Sequence, residues 1–237
     1  MRELSELVEV EEPAWPVLTE RLAGSAAPVR VLPVDPVAGR TCLHRLQVTA
    51  RSFLGAMALE CGGLVLDGGW LRVHGGGGPD LRGLGEVNDL SAAVVFGPPL
   101  RLVVGHDVLG GVFALNGPGS EGAEHPGRPG EMVYFAPDSL RWEPMETTYS
   151  SWLLWMLAGN LEGFYEGLRW TGWREEVEGL GLGQGLAVRP WPRSGEQTPA
   201  DPAAASRRAV PLGELTAANR DLCAARGLPD PGPFGLL

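Results

Sequence analysis

The residues best suited to chemistry crowd into one stretch, 61–78, CGGLVLDGGWLRVHGGGG, which holds eight glycines and His74. Loops of the HGGG type supply backbone N–H groups to an oxyanion in α/β hydrolases, but they serve a serine on a G-x-S-x-G elbow. No such elbow exists here. Ser120 sits in PGSEG, with proline where the first glycine belongs, and Ser52 sits in ARSFL. A phosphate loop fails for another reason. All 19 basic residues are arginine, so a Walker-A lysine, a Schiff-base lysine and a Ser–Lys dyad are excluded. GPGSEG (117–122) matches the spacing G-x-G-x-x-G. The AEHPGRPG that follows it cannot open the helix whose N-terminus would face a pyrophosphate.

The four histidines, His44, His74, His106 and His125, show no ligand spacing. GHD at 105–107 offers two metal-type ligands, and two do not make a site. Asp107 reads better as a turn residue that hydrogen-bonds its own backbone ahead of Gly110–Gly111. Glu175, Glu176 and Glu178 read as a solvated helix face. Neither a metal nor a cofactor is expected. Trp70, Arg72, His74, Asp107, Asn116 and Arg141 fall near strand ends or turns, where ligands meet sheets, and are the binding candidates. Trp170 and Trp173 join them, because they flank a turn in RWTGW. Aromatic residues with arginine on loops suit binding surfaces. Trp152, Trp155 and Met156 share one helix face and read as core. For the eight tryptophans as a set, core and interface both stand.

The elements that position these residues follow from pattern. Leu4, Leu7 and Val8 predict a short helix, and a second turn of helix runs through Trp15, Leu18 and Leu22. VRVLP (29–33) reads as extended. Asp35–Pro36 caps a helix to about Leu43, and Ser52 caps FLGAMALEC. LVL and WLRV, joined by Asp-Gly-Gly, predict a β-hairpin, with 75–93 as loop. LRLVVG (100–105), VFALN (112–116), MVYFA (132–136) and LRWEP (140–144) continue an antiparallel meander, with a long loop at 117–131. Thr148 or Ser150 caps SSWLLWMLAGN, and two further short helices follow. LAVRPW (186–191) is a returning strand. The fold class is α+β: a single domain, 1–191, with a mostly antiparallel central sheet of about five to six strands flanked by short helices. Residues 192–208 have the composition of a flexible linker, and 209–237 of a terminal helix and tail.

Composition narrows the partners. The apolar fraction of 44% supports a sizeable core, and the net charge of −10 disfavours nucleic acid. A basic protein partner fits that charge. The longest apolar run of helical type, WLLWMLA, is too short for a bilayer. Three cysteines, Cys42, Cys61 and Cys223, without CxxC spacing, argue against a disulfide framework or a zinc knuckle. A reducing, cytoplasmic setting is expected. Oligomeric state stays open.

Taken in order, AWP, VLP, LQVTARSFLGAMALECGGLVLDGGWLRVHGGG, DVLGGVFALNG, VYFAPDSLRWE, YSSWLLWMLAGNLEGFYEGLRWTGW and VPLGEL resemble the bacterial domain-of-unknown-function family 2625 from about residue 3 to 222. The departures are NGP at 116–118 for the usual NGG, and Val87-Asn88 for the usual Trp-Asn. That resemblance implies no catalytic residues. In layout the chain is also similar to the SUKH superfamily, which implies an α+β domain of immunity type that binds a protein partner without catalysis. The rival expectation is an enzyme or small-ligand binder with a site near Arg72 and His74.

Overall fold

Three helices start where a side chain accepts the first free N–H groups. Asp35 accepts from Val37 and Ala38 and opens a helix at Pro36, Ser52 accepts from Gly55, and Thr148 accepts from Ser151. A computed structural model describes residues 1–91, 100–120, 126–189 and 204–237. Among these, α1 (Leu4–Val8), α2 (Ala14–Ala23), β1 (Val29–Leu32), α3 (Pro36–Leu46), α4 (Phe53–Glu60), β2 (Gly63–Leu66), β3 (Leu71–His74) and α5 (Leu84–Val87) come first. β4 (Arg101–Asp107), β5 (Val112–Asn116), β6 (Met132–Ala136), β7 (Arg141–Pro144), α6 (Tyr149–Trp155), α7 (Leu161–Phe164), α8 (Trp173–Glu178), β8 (Gln184–Arg189), β9 (Ser206–Pro211) and α9 (Leu212–Ala225) follow.

The first seven strands form one antiparallel sheet in chain order, β1 to β7. This is the expected α+β meander with seven strands rather than five or six, because VRVLP pairs with β2 at the edge. The returning strand does not rejoin that sheet. β8 pairs with β9 in a separate two-stranded sheet, Gln184 opposite Pro211 and Arg189 opposite Ser206. Residues 206–208 of the expected linker are therefore strand, and the last helix begins at Leu212. Residues 192–203 of that linker lie outside the described residues, as do Trp191 and His125.

Alternation along each strand gives the sheet two faces. Leu64, Leu66, Leu71, Val73, Leu102, Phe113 and Tyr134 join the larger apolar cluster, with Leu43, Met57 and Trp152 from the helices. Val103, Val112 and Phe135 point the other way and pack with Cys223 of α9 and Phe234 of the C-terminal tail. β3 stops at His74, which would leave β4 open beyond it. The Asn88 side-chain amide takes the missing strand's place, with Nδ2 donating to Val103 O and Oδ1 accepting from Val103 N.

Candidate functional site

The predicted hairpin places Arg72 opposite His106 and His74 opposite Gly63. HGGGG, the start of the expected loop, is packed inside the fold. Gly75, Gly76 and Gly77 are buried. The Gly76 N–H donates to Cys61 O (2.7 Å), the Gly77 N–H to Gly62 O (3.2 Å) and the Gly78 N–H to Leu81 O (3.1 Å). Three of the four glycine N–H groups are thereby taken by the chain's own carbonyls. A Cβ on Gly75 would collide with Cys61 O, and one on Gly76 with Ala58 O. The glycines are there for close packing.

At the β3–β4 pair Arg72, His74 and His106 lie buried on one face and Asp107 on the other, none more than 2% exposed. His74 Nδ1 lies 2.9 Å from Arg82 O, and His106 Nε2 lies 2.8 Å from Phe234 O. Both nitrogens must donate, since a carbonyl only accepts. Two neutral rings then have no proton left for the 2.9 Å contact between His74 Nε2 and His106 Nδ1. Burial, with the charge of Arg72, opposes adding one. It pushes His74 down to about 4, and burial with His74 as neighbour pushes His106 to about 3.

Asp107 bonds its own turn, as its sequence context predicts. Oδ1 accepts from the N–H groups of Leu109 (2.9 Å) and Gly111 (2.8 Å). Oδ2 accepts from two phenols, Tyr134 (2.7 Å) and Tyr165 (3.1 Å). Burial raises the carboxyl above its ordinary range against those four bonds, and burial with Asp107 holds both tyrosines protonated. Arg72 is pushed down to about 10 by burial and stays a cation, donating to Gln184 O (2.8 Å).

Tyr165 lies between Asp107 and the surface. Its ring lines a cleft of about 440 Å³ with Asp67, Glu162, Glu166, Arg169, Trp173 and Arg174. The Asp67–Gly68–Gly69 turn runs at φ 52°, 70° and 104°, the left-handed region. It aims the Asp67 carboxylate at Arg169 (2.6 Å) and Arg174 (2.7 Å). The Arg169 guanidinium lies 4.2 Å from the Trp173 ring centre and 4.8 Å from that of Trp70. The aromatic cage is thus filled by the chain's own cation.

The structure gathers Trp70, Trp170 and Trp173 into one cluster, sets Arg72 and His74 around His106, and holds Asp107 with Tyr134 and Tyr165. Trp70 is 5.0 Å from Trp173 and 5.9 Å from Trp170. Trp170 is buried despite its turn, because Nε1 donates to Glu176 and Arg207 covers its ring. Asn116 and Arg141 stand apart. Asn116 pairs with Arg101 at the far end of β4 and holds Pro126 O across the base of its loop (2.8 Å). Arg141 is exposed on β7, the sheet edge.

Sequence reasoning missed Tyr165, Arg169 and Trp155. Trp155, expected in the core with Trp152 and Met156, is 39% exposed. After α6 the helix widens to a π turn over Met156–Asn160, held by Asn160 Nδ2 donating to Trp155 O (2.9 Å). Trp155 then stands over Phe164, 6.0 Å between ring centres. A shallow groove lined by Trp155, Asn160, Phe164, Glu162 and Glu166 runs beside the cleft and shares its two glutamates. Among the described residues no group of three or more His, Cys, Asp or Glu is placed to hold a metal. No helix of theirs is long and apolar enough to cross a membrane.

No solved structure matches the chain, and the SUKH-like layout has no support from these comparisons. The chain is 37% identical over 217 residues to YbfG, an uncharacterized protein of Escherichia coli (strain K12), covering 91% of this chain and 94% of that one. It is 34% identical over 192 residues to an uncharacterized protein of Haemophilus influenzae (strain ATCC 51907 / DSM 11121 / KW20 / Rd), covering 80% and 82%. The family described as "Protein of unknown function DUF2625" matches residues 4–215, and the chain belongs to that family.

Proposed function

We propose that this protein is a non-catalytic binding module of the cytoplasm, and that the groove at the π turn receives a basic segment of a protein partner. The observation that carries this is Trp155, an exposed aromatic beside two exposed carboxylates, Glu162 and Glu166. Aromatic anchors flanked by complementary charge are how interfaces gain affinity. A net charge of −10 speeds encounter with a cationic partner. An immunity-type role, an acidic inhibitor capturing a basic toxin or nuclease, is the specific form of this reading.

The rival reading, a reaction centre at Arg72 and His74, is less well supported by the geometry. Neither the cleft beside Tyr165 nor the cavity under the C-terminal tail is lined by Arg72, His74, His106 or Asp107. Asp107 spends both carboxylate oxygens on internal donors, a pattern that braces a fold rather than meets a substrate.

Fluorescence titration tests the proposal. An oligoarginine peptide is expected to change Trp155 emission in low salt and lose the effect in high salt, whereas an oligoglutamate peptide does nothing. The double substitution Glu162→Gln, Glu166→Gln abolishes the response. A response that survives it, or one equal for both peptides, rejects the groove as the docking face.

A further inference from the structure

Residues 228–237 have no regular secondary structure and lie beyond the family match, which stops at residue 215. They are nevertheless seated as a bound peptide would be. Phe234, 3% exposed, fills a slot with its ring centre 4.5 Å from that of Phe135 and 6.0 Å from that of Trp142. The segment's backbone is read at four points. Trp142 Nε1 donates to Pro231 O (2.8 Å), His106 Nε2 to Phe234 O (2.8 Å) and Arg82 Nη1 to Leu236 O (3.2 Å). The Leu236 N–H donates to Val87 O (2.8 Å). All four reading residues lie inside the family region.

Side chains that address carbonyls spaced along a segment, with a pocket for one aromatic ring, are the equipment of peptide recognition. The occupant suits that role. Pro229, Pro231 and Pro233 each fix their own φ and so lower the cost of ordering the segment. Gly232 and Gly235 take φ of 79° and 93°, and a Cβ on Gly235 would lie 2.6 Å from Val87 Cγ1, so glycine lets the backbone pass close beside Phe234. Beside the ring a cavity of about 640 Å³, with Arg82 and Arg101 in its lining, extends the slot.

We propose that the slot formed by Phe135, Trp142, His106 and Val87 is a peptide-binding groove, and that Pro231–Leu236 occupies it as an internal stand-in. Its external ligand is an extended segment of another protein, with a phenylalanine flanked by proline or glycine. This groove shares no residue with the one at Trp155 and does not depend on it.

The test uses the full chain carrying Phe234→Ala, which empties the slot, and the synthetic peptide PGPFGLL. Calorimetry is expected to show micromolar binding to the variant. Binding to the wild type is at least about tenfold weaker, because its own tail competes. The control peptide PGPAGLL does not bind. A variant with the wild-type circular dichroism that fails to bind PGPFGLL overturns the proposal, as does equal binding to variant and wild type. If the variant does not fold, hydrogen exchange on the wild type decides. The Leu236 amide should exchange at least about a hundredfold faster than β5 amides, through a local opening. Exchange of Leu236 only by global unfolding rejects a displaceable occupant. A concentration-dependent dimer that PGPFGLL disperses makes a second copy the occupant, and overturns the assignment to another protein.

Discussion

His74 and His106 make acid the condition that finds the weak point of this fold. Unfolded, each ring titrates near its ordinary 6.5; folded, burial holds them at about 4 and about 3. The folded state therefore binds fewer protons than the unfolded chain across that interval, and stability present above 6.5 is lost as pH falls. Each ring accounts for about 3 kcal/mol between pH 6.5 and 4. We expect the urea midpoint to fall over that range, and the fall to be about halved in His106→Gln, which keeps a neutral donor for Phe234 O. A wild-type midpoint flat over that range would show that the pair is not buried and neutral. Asp107 gives a second measurement at this scale. Tyr134→Phe leaves one phenol on Oδ2 where there were two, and should cost about 1–2 kcal/mol in urea unfolding; no loss means that the phenol does not hold the carboxylate. The turn half of this arrangement was legible, since Asp ahead of Gly-Gly bonds its own backbone. The partners were not. Tyr134 and Tyr165 lie 27 and 58 residues away from Asp107, and His106 lies 32 from His74. No local pattern encodes a contact at such a separation.

At the scale of elements, legibility followed how local the cause was. The Asp-Gly-Gly hairpin, the caps at Asp35, Ser52 and Thr148, and the strands of the meander each depend on a few adjacent residues, and the structure has them all. The short helix Leu84–Val87 inside an expected loop was hidden by surrounding glycines. The pairing of β8 with β9 was hidden by the stretch between them, whose composition speaks only of what it lacks. Trp155 was misplaced because it stands at the edge of the helix face whose centre Trp152 and Met156 bury, and periodicity alone does not separate edge from centre. His74–Gly78 shows the opposite failure: the motif was conspicuous and its meaning was steric. Gly76→Ala should test that. The new methyl meets Ala58 O and Gly39 Cα, both backbone, so nothing can rotate away. We expect a loss of about 2 kcal/mol or more in urea unfolding. A neutral substitution would return these glycines to the list of functional candidates.

For the molecule as a whole, the sheet separates two cores that need not open together, and three thiols report on them. Cys42 and Cys61 sit in the larger cluster, 2% and 0% exposed, and burial pushes both up to about 12. Cys223, 0% exposed, sits in the smaller cluster against Phe234 and donates to Leu140 O (3.7 Å). Thiolate is the reactive form, so in the native state all three should resist a thiol reagent. The two cores differ in how they are closed. The larger is sealed by helices packed on the sheet, whereas the smaller is sealed in part by an irregular tail held at four backbone points. Local opening is easiest where regular structure and buried contacts are fewest. We therefore expect Cys223 to label first at low denaturant, with Cys42 and Cys61 following together only at the global transition. Added PGPFGLL should slow Cys223 in the Phe234→Ala variant, because it refills the slot, and leave the other two unchanged. Simultaneous labelling of all three, with and without peptide, would mean that the two faces of the sheet unfold as one unit and that the tail is a fixed part of the core.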